Sequence, residues 1–296
     1  MLKKLRPCFA GLCLLHMGAE LEIPAVFRAQ HFSTPDLRTG QFPRKIYRDF
    51  PEFSADMANS ALLLFEHESP RGVMQWLADQ RRDFEIKKEG TSQGNGRIRA
   101  NGGYSFTLGE IILREGKFIG GIGRYNPSQV AATAIGIAAL DQLPFGRSVI
   151  VHSYTDWDGT KKPFKSIIIF KSRVPAGVHY SLEMKVHEDV VPSSMLSKIY
   201  WRSTNALQAT DEATRFREYA LGFFLASSTP YQRGGAAICR WYFHGLAEKI
   251  FRPRMAQEFD SISLDADLDS QAMAMDEDVF IAWLKGQLQA RGVLIP

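Results

Sequence analysis

RFREYALGFFLASSTPYQRGGAAICRWYFHGLAEKIF, residues 215–251, is the stretch that decides the fold of this chain. Its first half spaces apolar side chains as one face of a helix requires: Phe216, Tyr219, Ala220, Phe223 and Phe224. That spacing predicts an amphipathic helix with one buried face. Thr210 is its predicted N-cap, and the sequence SSTP at residues 227–230 ends it, because serine and proline favour turns.

A second helix is predicted to begin at the pair Gly234-Gly235 and to end before Pro253. Two glycines at a helix start leave backbone N–H groups uncovered, and the helix dipole there attracts an anion. Arg233 precedes the pair and Arg240 follows it along the helix, so both guanidinium groups could contact a phosphate or carboxylate. The turn is therefore a predicted anion or nucleotide site, and a plain helical hairpin with surface arginines remains the alternative.

The segment TPYQRGGAAICR at residues 229–240 resembles the motif H-P-F-x-[DE]-G-N-G-R-x-x-R of Fic/Doc-type proteins. The matching positions are Pro230, the aromatic Tyr231, Gly234 and Arg240, whereas Thr229, Arg233, Gly235 and Ala237 replace the motif's histidine, acid, asparagine and first arginine. The resemblance implies phosphate binding at the helix start. Because a threonine hydroxyl does not titrate near neutrality, the resemblance implies a phosphate-binding or pseudoenzyme version rather than an active transferase.

Composition and charge place the chain among ordinary globular proteins. At 296 residues, with 45% hydrophobic and 23% charged residues, it can bury a substantial core. The net charge of +4 is uneven, because every charged residue in the segment 258–278 is acidic. The basic remainder admits a polyanionic partner but shows no strong nucleic-acid signal. Cys8, Cys13 and Cys239 form neither a disulfide framework nor a metal motif, which favours a reducing compartment.

The amino terminus, residues 1–45, is interpreted as a leader that is flexible or signal-like. Within residues 1–19, basic side chains precede a short apolar run and a small-residue pattern, which is the outline of a secretory signal. Pro7 and His16 interrupt that outline, and the run is too short to span a bilayer. We therefore expect a cytoplasmic protein, or one secreted into a reducing compartment, without a transmembrane helix; cleavage of the leader stays open.

Residues 46–296 are predicted to form a single α+β domain, with a helix-plus-sheet part at 46–190 and a helical part at 191–296. Helices are expected from Ser54, from Ser69-Pro70, from Asn126-Pro127 through residue 140, from Pro192 and from residues 276–278. Strands are expected at residues 84–88, 104–113, 117–122, 148–152, 164–170 and 178–186. Hairpin connections without a repeating βαβ rhythm indicate an antiparallel sheet over about residues 84–187, packed with the C-terminal helices.

The segment EGTSQGNGRIRANGG at residues 89–103 is the most loop-like part of the domain. Its glycines and asparagines predict a flexible flap or long hairpin loop, and Arg97 and Arg99 make it basic. No helix follows the glycines, so the segment by itself lacks the geometry of a phosphate cradle. A lid that closes over a ligand is the alternative interpretation.

The remaining chemical groups have plainer explanations. His179, Glu183 and His187 share one face of a predicted strand, and we interpret them as a solvated polar face. Asp156 and Asp158 flank Trp157 in a tight turn, where turn chemistry accounts for both carboxylates. Cys239 would need a distant imidazole such as His152 to act as a nucleophile, so packing is the expected role of this thiol. The common catalytic motifs are absent from the sequence.

The prediction is therefore a phosphate- or nucleotide-binding protein, with a transferase-like or pseudoenzyme fold that acts on a protein target. The predicted ligand-binding residues are Thr229, Arg233, Gly234, Gly235, Arg240, Arg97 and Arg99. Two alternatives stay open: a protein-interaction module without a small-molecule site, and a toxin- or effector-like enzyme whose catalytic residues are dispersed. The cofactor and the catalytic residues are unassigned, and no metal site is expected.

Overall fold

The computed structural model describes residues 26–29, 49–120, 132–251, 255, 258, 262 and 268–294. Of the expected leader, only residues 26–29 belong to these ranges. The predicted helix start at Asn126-Pro127 and part of the acidic segment lie outside them. Within the described ranges, the chain forms an antiparallel sheet and a larger set of helices, which confirms the predicted α+β class.

Within the described ranges the sheet has five strands, and three of its neighbouring pairs are hairpins. The strands are β1 (Ser105–Arg114), β2 (Lys117–Gly120), β3 (Gly146–Thr155), β4 (Lys161–Val174) and β5 (Gly177–Val186). Their order is β2-β1-β5-β4-β3, and each neighbouring pair is antiparallel. The β1–β2 turn uses left-handed backbone at Glu115 (φ 52°) and Gly116 (φ 71°), the torsions that a tight hairpin turn needs. The predicted sheet is confirmed, except at its first strand.

Eight helices have both ends within the described ranges. They are α1 (Phe50–Leu64), α2 (Pro70–Glu89), α3 (Ile137–Gln142), α4 (Pro192–Gln208), α5 (Glu212–Ala226), α6 (Gly235–Ile250), α7 (Leu268–Ala274) and α8 (Glu277–Ala290). The predicted start of α2 is confirmed, because the Ser69 side chain accepts a hydrogen bond from the N–H of Gly72 at 3.2 Å. Among the described helices, none combines the length and the apolar character that crossing a bilayer requires.

Four predicted boundaries were wrong. Residues 84–88 are the last turns of α2 and not a strand, because Phe84 continues the buried helical stripe of Val73 and Leu77. Helix α1 begins before Ser54, which is buried within it. The cap of α5 is Asp211, whose side chain accepts from the N–H of Thr214 at 2.8 Å, and not Thr210. The helix expected to run to residue 140 is interrupted at Gly136, where φ is 97°.

The core lies between one face of the sheet and the helices. Alternate residues of β5 are buried, as expected for a strand covered on one side only. Phe164 of β4 meets Phe224 of α5 at a ring-centroid distance of 5.3 Å, which places α5 against the inner face. Buried side chains from both the helix-plus-sheet part and the helical part belong to one contiguous cluster. This arrangement leaves the α5–α6 turn beside the loop that leads from α2 into β1.

Candidate functional site

The loop between α2 and β1 is hydrogen-bonded to the turn between α5 and α6. The N–H of Arg99 donates to the carbonyl of Pro230 at 2.9 Å, and the N–H of Gln232 donates to the carbonyl of Arg97 at 2.8 Å. A third backbone bond of 3.3 Å runs from Gly96 to Arg233. We call residues 92–99 and 229–235 together the arginine junction. The loop belongs to no hairpin, and its tip is attached to the turn by these bonds rather than open as the expected flap.

Glycine makes the close approach of this loop possible. Gly96 has a φ of 70°, and a Cβ built on it would lie 2.2 Å from the carbonyl oxygen of Ala78 in α2. Gly94 also has left-handed backbone, with a φ of 83°. Residues other than glycine rarely adopt this backbone conformation, and a Cβ at Gly96 would also force the loop away from α2. These glycines therefore fix the path that brings the loop's arginines to the α5–α6 turn.

Arg99 is the arginine that the junction holds most firmly. Its Nε donates to the carbonyl of Thr229 at 3.2 Å, and its Nη2 donates to the carbonyl of Gln232 at 3.1 Å. The guanidinium lies 4.3 Å from the ring centroid of Tyr104, a cation–π distance. Burial lowers the pKa of Arg99, and Tyr104 opposes that shift. Burial also raises the pKa of Tyr104 to about 12, so the phenol stays neutral beside the guanidinium.

Arg97 and Arg233 are exposed on the same junction. The Nη1 of Arg233 contacts the side-chain oxygen of Gln93, and the amide nitrogen of Gln93 contacts Glu89. Across the described ranges, no carboxylate forms an ion pair with Arg97, Arg99 or Arg233. The junction therefore presents guanidinium groups whose positive charge is not cancelled by a direct acidic neighbour.

The glycine pair at the start of α6 is more crowded than the sequence suggested. Gly234 caps the helix with a φ of 72°, and no side chain caps the N-terminus. A Cβ built on Gly234 would lie 2.8 Å from Oδ1 of Asn95 and 2.9 Å from Cγ of Arg81. Arg81 is itself paired with Glu85 at 2.6 Å. Asn95 and Arg81 therefore occupy the space beside Gly234 that a ligand above the glycine pair would need.

A small cavity of about 20 Å³ lies near the start of α6, with room for about one water molecule. Its lining consists of Phe223, Ala226, Ser227, Thr229, Ala236, Cys239, Asp269, Ala272 and Met273. Neither Arg233 nor Arg240 lines it, and Asp269 supplies a negative charge. Arg240 lies five residues beyond Gly235 in α6, about 7.5 Å along the axis, and is half-buried. The structure thus groups Arg97, Arg99, Thr229, Arg233 and Gly234 at one surface, with Arg240 set back.

Lys165 is a buried charged residue that is not among the sequence-predicted site residues. Only 1% of it is exposed, although it stands within the apolar run of β4. Its Nζ donates to Oγ of Ser227 at 2.8 Å and contacts the carbonyl of Ala272, so it bonds the C-terminal ends of α5 and α7. Burial lowers the pKa of Lys165 well below its ordinary value, and Asp276 and Glu277 oppose that shift. A lysine among isoleucines and phenylalanines was the available sequence signal.

Asp156 is also more than a turn residue. It is 3% exposed and contacts the ammonium groups of Lys162 and Lys198. Burial opposes its ionisation, but the hydrogen bonds from both lysines outweigh burial and hold the pKa of Asp156 at about 2. Lys198 also lies 3.9 Å from the ring centroid of Trp157. The two lysines lie in β4 and α4, so the turn is tied to a helix that its local sequence does not indicate.

Cys239 is the cysteine that the sequence raised as a candidate nucleophile. Cys239 is buried in α6, and burial raises the pKa of its thiol, which disfavours the reactive thiolate. Within the part of the chain that the structure describes, no three His, Cys, Asp or Glu side chains meet in a group able to hold a metal ion.

The chain matches no protein-family model, and a search of curated proteins also finds no match.

Proposed function

We propose that the arginine junction binds a phosphate-bearing ligand. The observation that supports this proposal is the convergence of Arg97, Arg99 and Arg233, none of which is paired with a carboxylate of the described residues. Guanidinium groups offer several fixed N–H donors, and their planar geometry suits a phosphate better than an ammonium does. The backbone bonds between loop and turn would hold these donors in place before the ligand arrives, which lowers the entropic cost of binding.

The shape of the junction favours binding at the surface. The cavity near α6 is water-sized, and Asn95 and Arg81 fill the space beside Gly234. A nucleotide would therefore bind through its phosphates against the exposed Arg97 and Arg233, with its base outside the protein. Thr229 Oγ1 is buried and has no hydrogen-bond partner among the described residues, which disfavours a role in group transfer. Binding without nucleotidyl transfer is the function that this arrangement favours.

Isothermal titration calorimetry with ATP, pyrophosphate and inorganic phosphate tests the proposal. We expect ATP and pyrophosphate to bind more tightly than inorganic phosphate, because a longer anion reaches both exposed arginines. Arg97→Ala and Arg233→Ala should each weaken ATP binding by about tenfold, which corresponds to about 1.4 kcal/mol. Added salt should weaken binding to the wild-type protein, because the contacts are exposed charges.

Arg82→Ala is the matched control. Arg82 lies in α2, its side chain is 43% exposed, and it pairs with Asp79 at 2.8 Å. Its removal lowers the net charge by the same amount but leaves the junction intact. Equal losses in the Arg82, Arg97 and Arg233 variants would indicate a general charge effect and contradict a defined site. Unchanged affinity in both junction variants would contradict the proposal directly, provided circular dichroism shows that they fold.

A further inference from the structure

The outer face of the sheet brings together a serine, a histidine and a carboxylate from three strands. Oγ of Ser172 in β4 lies 3.4 Å from Nδ1 of His179 in β5. Nε2 of the same imidazole lies 3.2 Å from Oε2 of Glu110 in β1. Ser172 is exposed, whereas the side chains of His179 and Glu110 are 18% and 33% exposed. A hydroxyl and a carboxylate on opposite nitrogens of one imidazole form the arrangement that activates serine nucleophiles.

The strand register explains why these groups meet. Ser172 and His179 are direct cross-strand partners in the β4–β5 pair. His179 faces Ile112 of β1, and Glu110 faces Ser181, so Glu110 lies diagonally across from the imidazole. Diagonal partners on one sheet face are within reach of long side chains. The contacts join residues that are 7 and 69 positions apart in the sequence. The interpretation of His179, Glu183 and His187 as a solvated polar face considered a single strand, so it included neither Ser172 nor Glu110.

We propose that Ser172 and His179 are the catalytic residues of an acyl-transfer site that hydrolyses carboxylic esters, with Glu110 as a positioning residue. When the Nε2–H of His179 donates to Glu110, the tautomer leaves Nδ1 as an acceptor that faces Ser172. Nδ1 can then take the proton of the Ser172 hydroxyl. Glu110 fixes the orientation of the ring and stabilises the imidazolium that forms. This proposal uses none of the residues of the arginine junction.

Hydrolysis of the ester at this site consumes water as its only co-substrate. Ser172 Oγ forms a bond to the ester carbonyl carbon as its proton passes to Nδ1 of His179. The bond from that carbon to the alkoxy oxygen breaks, and the leaving oxygen takes the proton from Nδ1. Water then attacks the acylated serine and gives a proton to Nδ1. The bond between carbon and Ser172 Oγ breaks, the serine regains its proton, and the carboxylic acid is released.

The surroundings of Ser172 indicate an ester with an apolar acyl group. Phe170 stands two residues earlier on β4, on the same face as Ser172, and is 44% exposed. A residue two positions away along a strand lies about 7 Å from the serine, within reach of a short acyl chain. Burial of that chain against the phenyl ring would favour apolar over charged acyl groups. The site is open, so the alcohol portion of the ester can extend into solvent.

Hydrolysis of p-nitrophenyl butyrate by the full chain tests the site. We expect turnover with a butyryl adduct on Ser172, detected by peptide mass spectrometry after rapid acid quench. Ser172→Ala should abolish the adduct, and His179→Gln should lower the rate by about 100-fold, the size typical of a general base. Glu110→Gln should lower kcat with little change in KM, because Glu110 does not touch the ester. Acetate esters should react more slowly than butyrate esters if Phe170 holds the acyl group.

Two controls separate this site from unspecific reactivity. Ser181→Ala removes a hydroxyl from the same sheet face, and His187→Gln removes an imidazole that is 40% exposed. Neither change should alter the rate. Wild-type turnover no faster than that of the Ser172→Ala variant, or an adduct on another residue, would overturn the proposal. A loss equal in the His187 and His179 variants would also overturn it, because free imidazoles hydrolyse activated esters. Failure here leaves phosphate binding at the arginine junction unaffected.

Discussion

His152 and Lys165 are direct cross-strand partners on the inner face of the sheet, so two basic side chains are buried side by side. Nδ1 of His152 has no hydrogen-bond partner among the described residues. Burial is the main cause that lowers the pKa of His152 to about 4, and the neighbouring Lys165 adds to it, while Asp276 opposes the shift. The imidazole is therefore neutral in the folded protein at pH 7. A neutral histidine beside a buried lysine avoids placing two positive charges together in the core.

This pair predicts an acid-dependent loss of stability. The unfolded chain binds a proton at His152 near pH 6.5, whereas the folded protein does so only near pH 4. The contribution of His152 to stability should therefore fall by about 3 kcal/mol as pH drops from 6.5 to 4. His152→Leu should flatten this part of a urea-unfolding series, whereas His187→Gln, on the exposed side, should not. An unchanged pH slope in the His152 variant would contradict the assignment.

At the scale of the elements, α1 and α6 pack at unusually short range because α6 carries a glycine at the contact. A Cβ built on Gly245 would lie 2.8 Å from the Cβ of Ala61 and 2.9 Å from the backbone nitrogen of Leu62. Both neighbours belong to α1, and backbone cannot move aside as a flexible side chain can. The two helices would have to separate to accept even one methyl group.

Gly245→Ala should therefore destabilise the protein by about 2 kcal/mol, since the clash outweighs the better helix propensity of alanine. Gly286→Ala in α8 is the matched control, because a Cβ there meets no atom within 4 Å. That substitution should stabilise the protein by about 0.5 to 1 kcal/mol. Thermal denaturation of both variants measures the difference. Stabilisation by both substitutions would show that α1 and α6 separate at little cost.

A second element-scale feature is the way α8 covers the edge of the sheet. The N–H of Ser153 donates to Asp276 at 3.3 Å, and the N–H of Thr155 donates to Glu277 at 2.7 Å. Asp276 is the N-cap residue of α8 and Glu277 is its first residue, and the helix dipole favours negative charge at both positions. The expectation that acidic residues begin this helix is confirmed. The sequence rules for helix starts do not reveal that the same carboxylates accept hydrogen bonds from backbone N–H groups of the edge strand β3.

At the scale of the whole molecule, a buried arginine that pairs with a glutamate of the helical part also bonds that part to the sheet. Nη1 of Arg202 in α4 lies 2.9 Å from Glu218 in α5, and its Nη2 donates to the carbonyl of Thr155 in β3 at 3.1 Å. The side chains of Arg202 and Glu218 are 5% and 8% exposed. A buried charge that loses its partner is costly, because the desolvation is no longer compensated. Asn205 and Arg217 also contact Glu218 and would remain.

Arg202→Met should lower the free energy of unfolding by about 3 kcal/mol, near the lower limit for breaking a buried pair because those two contacts persist. Arg82→Met is the surface counterpart, since the Arg82–Asp79 pair is exposed. Its loss should cost less than about 1 kcal/mol. Chemical denaturation at pH 7 compares the two variants. Equal effects would contradict a stabilising link between helices and sheet.

The sequence alone determined the antiparallel sheet, the α5–α6 hairpin and the starts of α2 and α8. Period-2 and period-3.6 patterns, prolines at first helical positions and glycine turns act over a few residues, so they are visible in a single chain. It failed at residues 84–88, where a short apolar run is ambiguous between strand and helix. It also selected Arg97, Arg99 and Arg233 as ligand-binding residues, but it did not predict the backbone bonds that hold their two segments together.

Only the tertiary structure decided which of these groups meet. Hydrogen bonds between distant segments join Arg99 to the α5–α6 turn, and the bond from its side chain to the carbonyl of Thr229 spans 130 positions. Strand register places Ser172, His179 and Glu110 within contact, and burial lowers the pKa of His152. Contact and burial depend on how distant segments pack, and neither local propensity nor residue spacing contains that information. The chain specified its elements locally, and their packing assembled its candidate sites.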